Sequence, residues 1–212
     1  MSKSKLGLIA GLVIIYGCFW IWYGGNGDQI SKAEGELLLA RVEAMYGDST
    51  TPEPKNSLRK NLPEMIRNDD GKEFYAINLE TITPGKKARE EENKYASIIL
   101  PQLLKRAGHP VLISETAGLM LGDYGRNVDQ VVIVRHRSLR DMIEMSLEPS
   151  MKQGWVHKYG SVDNAEVFIT RASIAIADLR LILGLLVMLI GFFGVGFINW
   201  KQRRAQDPEL QP

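Results

Sequence analysis

Three basic side chains in a row, Arg135, His136 and Arg137, close a run of β-branched residues in "DQVVIVRHRSLRDMIEMSLEPS", residues 129–150. A guanidinium placed there is a planar two-donor fork suited to an anionic or carbonyl group of a ligand. Strand alternation puts Arg135 on the face of Val131 and Ile133 and His136 on the face of Val132 and Val134, so only one of the two points inward. The plainer reading makes all three solvated strand-end residues, or partners of the acids in "REEE" (89–92), as clustered charges usually are. His157 in "GWVHKYG" is a second candidate, either in a site or as a packed residue beside Trp155 and Tyr159. Asn78 and Glu80 share one face of a strand in "KEFYAINLETI" (72–82), and an inward Glu80 is costly unless paired, with Arg135 the expected partner. Asn78, Glu80, Arg135 and His157 are therefore the candidate ligand-binding residues, and no residue is assigned a catalytic role.

Other chemistries have little support. His109, His136 and His157 are the only histidines and lack the short paired spacing of a metal site, so no metal ligands are assigned and the cofactor is left open. There is no Gly-rich phosphate loop, no GxSxG elbow and no nucleotide fingerprint. Tyr95 falls in a helix and reads as core. Cys18 is the only cysteine and sits in an apolar segment, leaving the rest of the chain without a disulfide or a nucleophilic thiol.

The elements that must position these residues lie between two uncharged segments, "LGLIAGLVIIYGCFWIWY" (6–23) and "LILGLLVMLIGFFGVGFINW" (181–200), each long enough to span a bilayer. Lys3, Lys5, Lys201, Arg203 and Arg204 in the short flanking tails predict that both ends are cytoplasmic, at a plasma (inner) membrane. Residues 24–180 are then periplasmic or extracellular. The first segment ends in bulky aromatics rather than a cleavage site, so it reads as an anchor and not a removed leader. "IYGC" loosely resembles a lipidation site at Cys18, a minor alternative. Gly7 and Gly11 on the first segment, and Gly191, Gly194 and Gly196 on the second, allow close helix packing within or between chains. Neither segment holds an ionisable residue, which argues against a transporter or channel.

Of the 26 basic and 25 acidic residues, five basic and two acidic (Asp207, Glu209) lie in the tails, which leaves a net charge of −2 between them. That balance offers no footprint for nucleic acid. The predicted organisation is a tail (1–5), a transmembrane helix (6–23), a juxtamembrane helix and linker (24–71), an α+β domain (72–171), a helix continuing into the second span (172–200) and a tail (201–212). Ser31 and Glu34 have capping-box spacing ahead of a helix that Gly47 ends, and "GDSTTPEPKNS" (47–57) reads as loop. The domain reads as a strand at 72–82; a helix opened by "REEE", kinked at Pro101 and ended at Gly108; strands "HPVLISETAGLML" and "DQVVIVRH"; a helix capped by Ser138 and Asp141; and a last strand "AEVFITR". "ASIAIADLR" (172–180) is expected to be helical. The order β-α-β-β-α-β is that of a ferredoxin-like domain.

The runs "FYAINLETI", "YASIILPQLLKRAGHPVLI" and "VVIVRHRSLRDMIEMSLEPSMKQGWVHK" together resemble a branch of the dimeric α+β barrel superfamily that has no assigned reaction. The likeness covers residues 74–171, with His136 standing where an aromatic is usual and Lys158 where Arg is usual. It implies two sheets paired into one barrel in a homodimer, and a pocket of the kind that in some relatives binds haem or acts on aromatic compounds.

Two function classes follow. One is a membrane-anchored binding or assembly module, a homodimer or a subunit of a membrane complex, holding a small-molecule ligand or a partner protein. The other is a membrane-tethered enzyme of monooxygenase or isomerase type, cofactor-free or haem-assisted. The absence of a clear nucleophile or acid–base pair favours the first.

Overall fold

The computed structural model of the chain describes residues 2–47, 57–174 and 178–206. Its elements are α1 (Lys3–Gly24), α2 (Lys32–Tyr46), α3 (Leu58–Arg67), β1 (Phe74–Ile82), α4 (Lys86–Lys105), β2 (His109–Glu115), β3 (Gln130–His136), α5 (Leu139–Ser146), α6 (Pro149–Ser161), β4 (Val162–Thr170) and α7 (Leu179–Gln206). They fall into two units: Met1–Gly24 with Ser173–Pro212, and Gly25–Ala172.

In the first unit, α1 and α7 are each long and apolar enough to cross a membrane, and almost none of either apolar stretch is buried. A core helix of a soluble protein would cover that surface. The two helices pack through glycine: Tyr16 lies against Gly184, Leu12 against Gly191 and Leu8 against Gly194, where a Cβ would fall 2.6 Å from Leu8 Cδ2. Of the patch on the second segment, Gly191 and Gly194 are thus used within the chain, while a Cβ on Gly196 would meet nothing within 4 Å. A Cβ on Gly7 or Gly11 would meet nothing within 4 Å, so that pair takes no part in this packing. The Tyr16 hydroxyl donates to the Arg180 carbonyl at 3.0 Å, and the Arg180 guanidinium sits 5.5 Å from the ring centroids of both Trp20 and Tyr23. Asp178 accepts the Arg180 backbone N–H at 2.8 Å and so caps the start of α7. The helix expected across residues 172–180 is corrected here. Residues 172–174 and Asp178 are not helical, and 175–177 lie outside the described residues.

In the second unit the strands form one antiparallel sheet in the order β2-β3-β1-β4. With α4 between β1 and β2, and α5–α6 between β3 and β4, this is the ferredoxin-like fold. Phe74 faces His136, Ala76 faces Val134 and Ile169, and Asn78 faces Val132 and Val167 across the register. Period-two alternation puts Phe74, Ala76, Asn78 and Glu80 on one face, as the sequence predicts. On that face Phe74 and Ala76 join Leu139, Met142 and Ile143 of α5, together with Ile30, Leu38, Val42 and Leu62, in one core.

Several element bounds differ from expectation. The linker contains α3, whose Leu62 enters the core although Pro63 follows it directly. Ser57 caps it, accepting from the Lys60 backbone N–H at 3.3 Å. Residues 48–56, most of the expected loop, lie outside the described residues. α4 begins at Lys86 and runs on through Pro101, and its left-handed terminal residue is Ala107 (φ +56°) rather than Gly108. The Gly108 N–H closes that end on the Leu103 carbonyl at 2.8 Å. β2 stops at Glu115, so residues 116–121 are not strand. The Pro-started helix α6 holds His157, and Ser138 caps α5 as expected, accepting from the Asp141 N–H at 3.1 Å.

Candidate functional site

Arg135 is 1% exposed, so its fork is not displayed to solvent. Nη1 donates to the Ala107 carbonyl at 2.7 Å, Nε donates to Glu73 Oε2 at 3.2 Å, and Nη2 pairs with the same carboxylate. The guanidinium therefore holds the left-handed end of α4 against the start of β1. The expected Arg135–Glu80 pair does not form. Arg135 stands opposite Tyr75 and Glu80 opposite Gln130, so the two are five residues apart along β1, about 17 Å, and on opposite faces of the sheet.

Glu80, 3% exposed, is paired instead with Lys158 of α6. The Lys158 ammonium also lies 5.3 Å from the centroid of the Tyr95 ring, which α4 supplies. Burial and, secondarily, the nearby Glu80 charge push the Tyr95 phenol pKa up. Tyr95 tilts against Trp155, which in turn lies 6.3 Å from Tyr159. A buried carboxylate, an ammonium and the rings of Tyr95 and Trp155 thus occupy the seam between α4, α6 and β1, while Tyr159 is 70% exposed. Such a pair is neutral overall and leaves neither partner with an unbalanced charge.

His157 sits one residue before Lys158 on α6. Its Nδ1 meets Glu91 Oε2 at 2.5 Å, and Glu91 Oε1 accepts from Lys94 at 2.8 Å. Lys94 and then His157 hold the Glu91 carboxyl down to about 2. The Asn78 amide donates to the Ala76 and Val132 carbonyls at 3.2 and 3.0 Å, so its donors are used within the sheet.

The other two members of the basic run have local work. His136 stacks on Phe74 with ring centroids 5.1 Å apart, and burial pulls its pKa down to about 4, so it is neutral at pH 7. Arg137 makes a bidentate pair with Asp141 at 2.7 and 2.6 Å, and Ser138 Oγ donates to the same carboxylate at 2.8 Å. Burial alone would raise Asp141, but those bonds outweigh it and hold the carboxyl below its usual range.

The four candidates therefore fall into separate arrangements and do not converge on one cavity. A cleft of about 220 Å³ lies elsewhere in the unit, lined by Asn61, Glu64, Asn68, Phe74 and Arg171 among others, and none of the four reaches it. The partners Glu73, Glu91 and Lys158 escaped the sequence reading because each is 62 to 78 residues from the group it meets. A different feature presents itself on the opposite sheet face. Tyr75, Ile77, Leu79, Leu112, Ile133 and Phe168 share that face by register, and Leu112 and Phe168 are each 46% exposed.

No family model matches the chain, and no curated protein matches it. Among solved structures, the RPA0582 protein of unknown function from Rhodopseudomonas palustris superposes with a TM-score of 0.52 at 16% identity, over 57% of this chain and 97% of that one. That likeness shows a shared fold. SnoaB, a cofactor-independent oxygenase from Streptomyces nogalater, gives 0.36 at 13% identity over 50% of this chain and 99% of its own. A dimeric protein of unknown function and ferredoxin-like fold from Bacteroides fragilis gives 0.33 at 11% identity, over 47% and 96%. Both of these scores are too low to bear on this chain.

Proposed function

We propose that the chain is a two-pass membrane-anchored assembly module. Its ferredoxin-like unit is extracytoplasmic, both termini are cytoplasmic, and two copies pair through the open sheet face to enclose a small apolar ligand or hold a partner protein. The observation that carries this reading is the face of Tyr75, Ile77, Leu79, Leu112, Ile133 and Phe168, apolar, with Leu112 and Phe168 exposed and the other four partly buried in the single chain. Sheets packed face to face sit about 10 Å apart and bury such side chains between them. The basic residues of both tails support the topology. The polar candidates favour a structural over a catalytic role, since Glu80, Arg135, His157 and Asn78 each spend their charge or donors on a partner inside the unit.

Light scattering of the full chain in detergent micelles tests the pairing. The parent chain is expected to be a dimer at micromolar concentration, and Leu112→Asp/Phe168→Asp a folded monomer. A monomeric parent, or a doubly charged variant that still dimerises, rules the pairing out. Native mass spectrometry of the dimer reads any enclosed ligand. A reporter fused after Pro212 that is active only outside the cytoplasm would overturn the topology.

A further inference from the structure

A groove of about 840 Å³ runs along the pair of apolar helices. That volume falls in the range of sites that take up a small molecule. Met188, Phe192, Gly196 and Trp200 line it at every fourth residue of α7, with Phe197 beside them and Ile9 supplied by α1. Side chains so spaced form one ridge of a helix, so the groove follows α7 for about 18 Å. Gly196 adds no side chain, and a Cβ there would meet nothing within 4 Å, which keeps this stretch open. Phe192, Phe197 and Trp200 are each at least half exposed, and Asn199 puts a single amide into the otherwise apolar lining.

The groove ends among basic residues. α1 runs antiparallel to α7, with Tyr16 beside Gly184 and Leu8 beside Gly194, so Lys3 and Lys5 reach the end of α7 that carries Lys201, Arg203 and Arg204. Neither helix contains an Asp or a Glu. Even with Asp207 and Glu209, which follow in the sequence, that end keeps an excess of three basic side chains. The Arg204 guanidinium lies over the Trp200 ring, 4.5 Å from its centroid, and Trp200 is a wall of the groove. A guanidinium stacked by its face keeps its in-plane N–H fork for the oxygens of a phosphate. Basic residues beside a crevice between membrane helices recognise anionic headgroups in this way.

We infer that the groove is a site for one anionic phospholipid. An acyl chain lies along Met188, Phe192 and Gly196, the ester oxygens come level with the Asn199 amide, and the phosphate meets Arg204. The apolar wall by itself accepts any lipid, because all acyl chains are equally apolar, so the headgroup preference comes from the basic end. A second copy of the helix pair seated here in the same orientation would bring another basic end against this one, and like charges oppose that. The site rests on α1 and α7 being membrane spans, as proposed above, and does not depend on the sheet pairing.

The full chain is reconstituted in vesicles of equal parts phosphatidylcholine and phosphatidylglycerol with the same acyl chains, then released for native mass spectrometry. Both leaflets carry the same lipids, so the direction of insertion does not enter. The parent chain is expected to retain one phosphatidylglycerol in preference to phosphatidylcholine by about fivefold or more, the ratio one basic group near an anionic headgroup supplies. Arg203→Gln/Arg204→Gln is expected to lower that ratio by about fivefold or more. Gly196→Leu leaves every charge in place, extends from an open Cβ position into the groove, and is expected to lose the retained lipid. A parent ratio near one overturns the site. So does a preference that Gly196→Leu leaves unchanged, because charge alone then accounts for the lipid. A lipid-free parent dimer that Gly196→Leu dissociates assigns the groove to a second copy and also overturns it. Flotation with the vesicles in alkaline carbonate checks the premise. A chain stripped from the vesicles sinks the reading of α1 and α7 as spans, whereas one that floats and retains no lipid sinks the lipid site alone.

Discussion

Replacing Lys158 by Met removes the charge opposite Glu80 while keeping most of the side-chain volume. Glu80 is 3% exposed and its partner in the structure is Lys158. Its carboxylate would then stay buried without the Lys158 counter-charge, a change that typically costs about 3–5 kcal/mol. Glu80→Gln/Lys158→Met, with no charge left to strand, should recover most of the loss at pH 7. Urea unfolding of the full chain in micelles, read by pulse proteolysis at pH 7, measures all three proteins. A loss under about 0.5 kcal/mol for Lys158→Met at pH 7, or a double variant no more stable than Lys158→Met, would refute the account of a buried, mutually dependent pair.

Arg135→Ala should cost about 2–4 kcal/mol, since it leaves the Ala107 carbonyl without its donor and empties a buried site, and the same urea assay reads it. Glu73→Gln keeps an acceptor oxygen but takes this counter-charge from the Arg135 guanidinium, 1% exposed, so it should cost about 3–5 kcal/mol. His136, held near 4 in the fold against about 6.5 when unfolded, makes the folded state poorer in protons between those values. Its stabilising contribution is thus lost as pH falls from about 6.5 through 4, to a total of roughly 3 kcal/mol, and His136→Phe should flatten that part of the stability–pH curve. Ser138→Ala should cost about 1 kcal/mol through the lost cap on the Asp141 N–H, measurable as a shift in the urea midpoint.

Local pattern was enough to read much of this protein from its sequence. Period-two alternation in residues 72–82 named the faces of β1, Ser31 and Ser138 marked two helix starts, and the uncharged runs at both ends announced two helices fit for a bilayer. Each of these signals is carried by residues within a single helix or strand. The basic run at Arg135 also split as alternation requires, with His136 turned under α5 and Arg137 spent on the first turn of that helix. What chain-local pattern could not supply was register and partnership. Arg135 and Glu80 are complementary in type, but the alignment of β3 on β1 sets them about 17 Å apart on opposite faces, and only tertiary pairing fixes that alignment. The partners that neutralise Arg135, Glu80 and His157 come from across the fold, because burial forces each charge to find whichever opposite group packing brings near. The open apolar face is decided in the same way. Ile77 and Ile133 look no different in sequence from Ala76 and Val134, and it is tertiary packing that puts Phe74 and Ala76 in the core with α5 and leaves Ile77 and Ile133 outside it.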